Sequence, residues 1–176
     1  MKMPTLELLK ATDMLTQSRL REVLIYNLES GLFTWKVSLR YGDAGKVAGT
    51  PDKDGYITIR IDGHPYRANR LAFLYVLGRF PNGVADHIDQ VVTNNAWNNL
   101  REATYVTNGY NRKNSSNNTS GVKGVYWDKV RNKWVARISV NKRRLVVGEF
   151  NKLSDAEAAI VSARNKYHGE FANHGL

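Results

Sequence analysis

The 176-residue chain contains no cysteine. Disulfides and cysteine-based zinc sites are therefore excluded, and a reducing, cytoplasmic setting is the default expectation. No apolar run is long enough to span a bilayer. Met1-Lys2-Met3-Pro4 lacks the basic, apolar and small-residue succession of an export signal. A basic amphipathic helix and a lipid-attachment motif are both missing, so a membrane is not an expected partner. Acidic residues are scarce beside basic ones: 16 Asp+Glu face 26 Lys+Arg, a formal net charge of +10. That imbalance favours polyanions. It is also uneven. Residues 121–176 hold 11 Lys+Arg against 5 Asp+Glu, a balance of +6, whereas the longer stretch 1–120 holds 15 against 11, a balance of +4. No aromatic RNA-stacking signature is recognisable, which favours DNA over RNA.

One segment has no apolar residue at all. Asn111-Arg-Lys-Asn-Ser-Ser-Asn-Asn-Thr-Ser-Gly121 is polar and ends in glycine, so it reads as a linker or extended arm. It divides the chain into residues 1–110, a linker at 111–120, and residues 121–176. In the first part, Leu20, Val23 and Leu24 recur at helical spacing with Ser18 as candidate N-cap. Leu32–Trp35 reads as a strand. Gly55–Ile61 alternates apolar and polar, Asp62-Gly63 is a two-residue hairpin turn, and His64–Arg67 is the return strand. A short buried helix is predicted over 70–77, stopped by Pro81-Asn82-Gly83. Val84–Ile88 is extended, 89–98 is a polar loop, 100–103 is a strand, and a helix starting near Thr104 carries Asn108. In the last part, 122–127, 134–140 and 144–150 are three strands, followed by a helix with Ser154 and Glu157 as a capping box and Gly169 beyond its end. Ala156, Ala159, Ile160, Ala163 and Tyr167 fall on one helical face. Trp134, Ala136, Ile138 and Val140 alternate onto the side the helix must cover. Tyr126, Arg137, Ser139 and Arg144 fall on the opposite, uncovered side, where they could meet base edges in a major groove. A solvated face is the plain alternative. His168 is assigned to the helix end, and His64 to the hairpin.

The densest chemistry lies at Asp86-His87-Ile88-Asp89. Asn99 stands twelve residues beyond the imidazole and Asn108 nine beyond that. A carboxylate and an amide oxygen can hold one hard cation, since Mg²⁺ keeps several waters and needs few protein ligands. A neutral imidazole beside them can deprotonate water. Together these groups suffice to hydrolyse a phosphodiester, with the ion neutralising charge on the phosphoryl and leaving oxygens. Singly, each has a dull explanation: Asn94-Asn95 and Asn98-Asn99 could be turn formers, and Asn108 could start a helix.

The ordered set resembles a family. Tyr26…Gly31-Leu-Phe-Thr-Trp35, Ala44–Gly49, Asp54–Arg60, Arg70-Leu-Ala-Phe73, Asp86-His-Ile-Asp89, Asn99-Leu-Arg101 and Thr107-Asn108 are similar to the HNH endonucleases of phages and homing elements. The resemblance implies a ββα-metal (His-Me finger) core with His87 as general base. It implies Asp86 and Asn108 as ligands of one divalent ion, Mg²⁺ or Mn²⁺, and Asn99 as the central asparagine that braces the loop or orients the imidazole. Two positions depart from the usual pattern: Asn69 stands where many relatives have His, and Asp89-Gln90 replaces Asp-Gly or Asn-Gly. From Gly121 to Ala172, Ser120-Gly-Val-Lys-Gly-Val125, Lys133–Ile138, Val147-Gly-Glu-Phe150 and His168-Gly-Glu-Phe-Ala172 resemble the AP2 DNA-binding domain. That implies a three-stranded antiparallel sheet plus helix. The expected class is thus α+β, a nuclease core followed by an AP2-like module. Expected DNA contacts are Arg112, Lys113, Lys123, Tyr126, Arg137, Ser139, Arg143 and Arg144. The expected partner is double-stranded DNA, bound by a monomer or weak dimer and cut by site-biased nicking. A DNA-binding regulator with a vestigial nuclease core is the rival from another class.

Overall fold

A computed structural model describes residues 15–38 and 43–175; Met1 to Pro4, read above for an export signal, lie outside them. The chain is mixed α and β and divides into two compact units, residues 1–102 and 103–176. Among the described residues no helix is long and apolar enough to cross a membrane.

The first unit opens with α1 (Gln17–Val23), whose cap is Thr16 rather than Ser18: the Thr16 hydroxyl accepts from the Arg19 amide at 3.2 Å. Thr16 is extended and Ser18 already lies inside the helix, so only the earlier residue has cap geometry. β1 (Leu24–Tyr26) and β2 (Phe33–Trp35) pair antiparallel, Tyr26 opposite Phe33. β3 (Thr50–Pro51), β4 (Ile57–Ile61) and β5 (His64–Arg67) form a three-stranded sheet. Asp62 and Gly63 both have positive φ, as the predicted two-residue hairpin requires. α2 (Ala68–Leu77) ends at Gly78, φ 73°, whose amide bonds to the Leu74 carbonyl. That glycine stops the helix before Pro81 is reached. β6 (Val84–His87) and β7 (Leu100–Ala103) form a two-stranded sheet, with a 3-10 turn at Trp97–Asn99 between them. Leu20, Leu24, Tyr26, Phe33, Ile59, Ile61 and Leu71 belong to one buried cluster. Apolar burial of this kind is the main stabilising term.

The second unit comprises α3 (Tyr105–Tyr110), β8 (Val125–Asp128), β9 (Lys133–Val140), β10 (Arg143–Phe150), α4 (Leu153–His168) and a 3-10 turn at Gly169–Phe171. The three strands form an antiparallel sheet with β9 in the middle. Val125, Trp134, Ala136, Ile138 and Val140 pack with Ala156, Ile160 and Ala163 of α4, as their parity predicts. Tyr167 is 46% exposed, and Arg164 takes the buried place at the end of the face. α4 carries no Ser154 capping box. It begins two residues earlier, and its cap position is Lys152, which makes no side-chain cap bond. The capping box of this unit is Thr104 with Thr107, at the start of α3.

The polar segment 111–120 is tied down at its C-terminal end. Ser120 Oγ donates within reach of the Val125 and Val122 carbonyls (2.7 and 3.0 Å), and Asn118 Nδ2 donates to the Val122 carbonyl at 2.9 Å. Asn111 is buried. Polar side chains here satisfy backbone carbonyls, a role that apolar patterning cannot reveal.

Candidate active site and nucleic-acid face

β6 is short and buried on both sides, which sets the environment of the Asp86-His87 pair. In an extended strand the two side chains point apart, and each meets its own partner. Asp86 Oδ2 accepts from Arg101 Nε on β7 at 2.9 Å, with side chains only 7% and 12% exposed. His87 is 4% exposed, its Nε2 lies 3.1 Å from Asn95 Oδ1, and its ring sits 5.9 Å from that of Tyr56. Asn69 on α2 is buried and donates through Nδ2 to the Ala85 carbonyl at 2.9 Å, fastening the helix to β6 one residue before the acid. Asn69 therefore supports this strand by a hydrogen bond to its backbone.

The loop between β6 and β7 is organised by Asn99. Its Oδ1 accepts from the Asp89 amide (3.0 Å), and its Nδ2 donates to Asp89 Oδ1 (2.9 Å) and the Asn94 carbonyl (2.8 Å). Asn94 Nδ2 and the Val91 amide also donate to the Asp89 carboxylate, at 2.6 and 2.8 Å. Burial works to raise the pKa of Asp89, but these donors outweigh it and hold the carboxyl below its usual range. Asn99 thus braces the loop, and the side chain beside the imidazole is Asn95. Asn95 was legible only as a turn former, because nothing in its spacing distinguishes it from Asn94.

Asn108 stands in α3, in the second unit, half-buried. Among the described residues there is no group of three or more His, Cys, Asp or Glu that could hold a metal. The Asp86 carboxylate of the first unit and the Asn108 amide oxygen of the second are each oxygen donors of the kind a hard ion takes, and neither is the nitrogen or sulfur that zinc prefers.

In the second unit, the register sets Arg144 opposite Ser139, Val146 opposite Arg137 and Tyr126 opposite Val135. Directly paired residues share a face, so Tyr126, Arg137, Ser139 and Arg144 lie together. They line a groove of about 400 Å³ whose other wall is the Ser115–Thr119 stretch. The Arg137 guanidinium lies over the Tyr126 ring, 4.9 Å from its centre. Arg143 pairs with Val140 and so has the opposite parity; it is exposed at the hairpin. Arg112 and Lys113 are exposed. Lys123 differs from the other expected contacts. Its ammonium points inward and donates to the carbonyls of Tyr110 (3.0 Å), Asn173 (3.2 Å) and Arg112. Burial, then the nearby Arg164 charge, pushes its pKa down to about 8.

Residues 66–110 match the family model described as HNH endonuclease. That stretch contains Asp86, His87, Asn95, Asn99, Arg101 and Asn108. No solved structure matches the chain. Over 96 residues the chain is 35% identical to Protein 3.8 of Escherichia phage T7, an alignment covering 54% of this chain and 78% of that relative. The chain belongs to the same family as this phage protein, and its residues 66–110 are an HNH endonuclease region.

Proposed function

We propose that the protein is a metal-dependent DNA endonuclease with a nuclease module over residues 1–110, joined through 111–120 to an AP2-like DNA-binding module over 121–176. On this reading β6, β7 and α3 are the ββα-metal core. The observation that carries it is the buried His87 imidazole, fixed by an amide oxygen and adjacent to the buried Asp86, inside the stretch that matches the HNH model.

His87 acts as general base and takes a proton from the attacking water. Asp86 and Asn108 would hold one Mg²⁺ or Mn²⁺, which when bound neutralises charge on the phosphoryl and leaving oxygens. Arg101 holds the Asp86 carboxylate in one orientation, and Asn99 braces the loop that follows the base. Tyr126, Arg137, Ser139 and Arg144 face duplex DNA, and Arg112, Lys113 and Arg143 add phosphate contacts. Lys123, with its ammonium engaged by three carbonyls, has no part in this contact set. One active centre per chain makes a nick the product of a monomer.

A supercoiled-plasmid assay with and without Mg²⁺ tests the reading. Nicked circles should form with the metal and be abolished by EDTA. His87→Ala and Asp86→Ala should each abolish cleavage while leaving gel-shift affinity for duplex DNA intact. Either variant cutting at the wild-type rate would overturn it.

A further inference from the structure

The β1–β2 hairpin holds the loop that faces His87. The Tyr26 hydroxyl donates to the Asn95 carbonyl at 2.6 Å, and both residues are almost wholly buried. The Trp97 amide donates to the Leu28 carbonyl at 2.8 Å. Gly31, at φ 72°, lies so close that a Cβ would stand 2.2 Å from both Asn95 C and Ala96 N. Hairpin and loop are therefore in backbone contact on both sides of the Asn95 side chain.

That side chain is oriented as well as placed. Asn95 Nδ2 donates to the Thr93 carbonyl at 3.2 Å, so Oδ1 is the atom turned to the imidazole. The opposite amide orientation would set two oxygens against each other at Thr93. A carbonyl oxygen only accepts, so His87 Nε2 must carry the hydrogen, and Nδ1 is then the ring atom with a basic lone pair.

We propose that Asn95 is the positioning residue that fixes His87 as the Nε2–H tautomer and assigns Nδ1 as the atom that takes the proton from water. The Tyr26–Trp35 hairpin is the clamp that keeps Asn95 there. This rests on His87 being the general base and names the device that prepares it. The water loses a proton to Nδ1, the ring becomes an imidazolium with hydrogens on both nitrogens, and Asn95 Oδ1 stabilises that cation through the Nε2–H bond. The residue acts only through His87, so its loss should lower kcat and spare KM.

Two measurements on the full-length chain test this. In two-bond ¹H–¹⁵N spectra at alkaline pH, wild-type His87 should show an exchange-protected Nε2–H and an unprotonated Nδ1. Asn95→Ala should lose that protection and lower the plasmid-nicking kcat about 10- to 100-fold with KM unchanged. Asn95→Asp, which keeps an acceptor, should retain the protected Nε2–H and recover most of the rate. Tyr26→Phe removes one hydroxyl without opening a void, and should weaken the protection and lower kcat several-fold; it decides the matter should Asn95→Ala fail to fold. Hydrogen on Nδ1 in the wild type, or wild-type spectra and kcat in Asn95→Ala or, should that variant not fold, in Tyr26→Phe, would overturn the proposal. His87→Ala cutting at full rate would instead remove the general-base assignment, an outcome that the ring spectra of the other variants keep separate.

Discussion

Gln90 carries a local cost. Its φ is 62°, in the left-handed region, and its Oε1 is buried without a hydrogen-bond partner. A side chain in that conformation costs about 1–2 kcal/mol, and an unsatisfied buried polar atom adds to it. Glycine would remove both costs while losing about 0.5–1 kcal/mol to the greater freedom of the unfolded chain. These costs are the physical reason a glycine fits this position, as the resemblance to HNH endonucleases implies. Gln90→Gly should stabilise the protein by about 1 kcal/mol, seen as a higher midpoint in urea, because Asn99 and Asp89 keep the loop in place. Arg101 is the converse case. It supplies the guanidinium partner of a buried carboxylate, and removing one member of such a pair costs about 3–5 kcal/mol. Arg101→Ala should lower the urea midpoint accordingly, and Arg101→Lys should restore only part of it, since an ammonium on a flexible stem lacks the fixed fork.

Turns and termini decide much of what the elements do. The β9–β10 hairpin turns through Asn141 and Lys142, with φ of 49° and 66° and Val140 opposite Arg143. Two consecutive left-handed residues define the turn type that prefers Asn-Gly. Lys142→Gly should therefore stabilise the second unit by roughly 0.5–1 kcal/mol, measurable as a raised thermal midpoint with an unchanged circular-dichroism spectrum. The same physics explains what was legible beforehand. The Asp62-Gly63 hairpin, the alternation of β9 and the apolar stripe of α4 are written in period and turn chemistry, which are local properties. Asp86, His87, Asn99 and Asn108 were legible as an ordered set. Asn95, Arg101 and Arg164 were not given their roles, because each acts through a partner several to tens of residues away in sequence. The caps of α1 and α4 each lie two residues before the serine that the pattern points to. A hydroxyl or carboxylate near a helix start does not reveal which residue is extended and which is already helical.

Two features of the whole molecule respond to solution conditions, and pH comes first. His168 stacks on Tyr110 with ring centres 3.8 Å apart, its Nε2 donates to the Ser139 carbonyl, and its Nδ1 is buried without a partner. Burial lowers its pKa below the ordinary 6.5, and the cations Lys123 and Arg164 add to that. His174 is lowered likewise, by burial and then by Arg164, whose guanidinium donates to its Nδ1. Both imidazoles are held neutral, so the unfolded chain binds more protons than the folded one between the lowered values and 6.5. Stability is then fully present above about 6.5 and declines as the pH falls through the folded values. The decline begins at a higher pH than that of Asp89 and the other paired carboxylates, whose contribution is lost only below their ordinary range. Thermal midpoints should fall on going from neutral to mildly acid buffer, and a His168→Gln/His174→Gln variant should flatten the slope even if its baseline stability is lower.

Salt is the second condition, and it separates the two activities proposed for the chain. Neutralising phosphates releases counterions, so log K for duplex binding falls with log salt by about 0.9 per phosphate contact. Arg112 and Lys113 are exposed, and the reading above makes them phosphate contacts. Arg112→Ala/Lys113→Ala should reduce the salt slope by about two and weaken binding to all sequences alike. Arg137 is held over Tyr126 on the grooved face of the sheet, a geometry suited to a base edge. Arg137→Ala should cost about 1–3 kcal/mol on the preferred site only and narrow its advantage over random duplex. His87→Ala should change neither slope nor preference, because the base meets the phosphodiester only in the cutting step. Measured in EDTA, these three behaviours assign recognition and chemistry to different residues. A salt slope that fell with His87→Ala, or a preference untouched by Arg137→Ala, would break that division of labour.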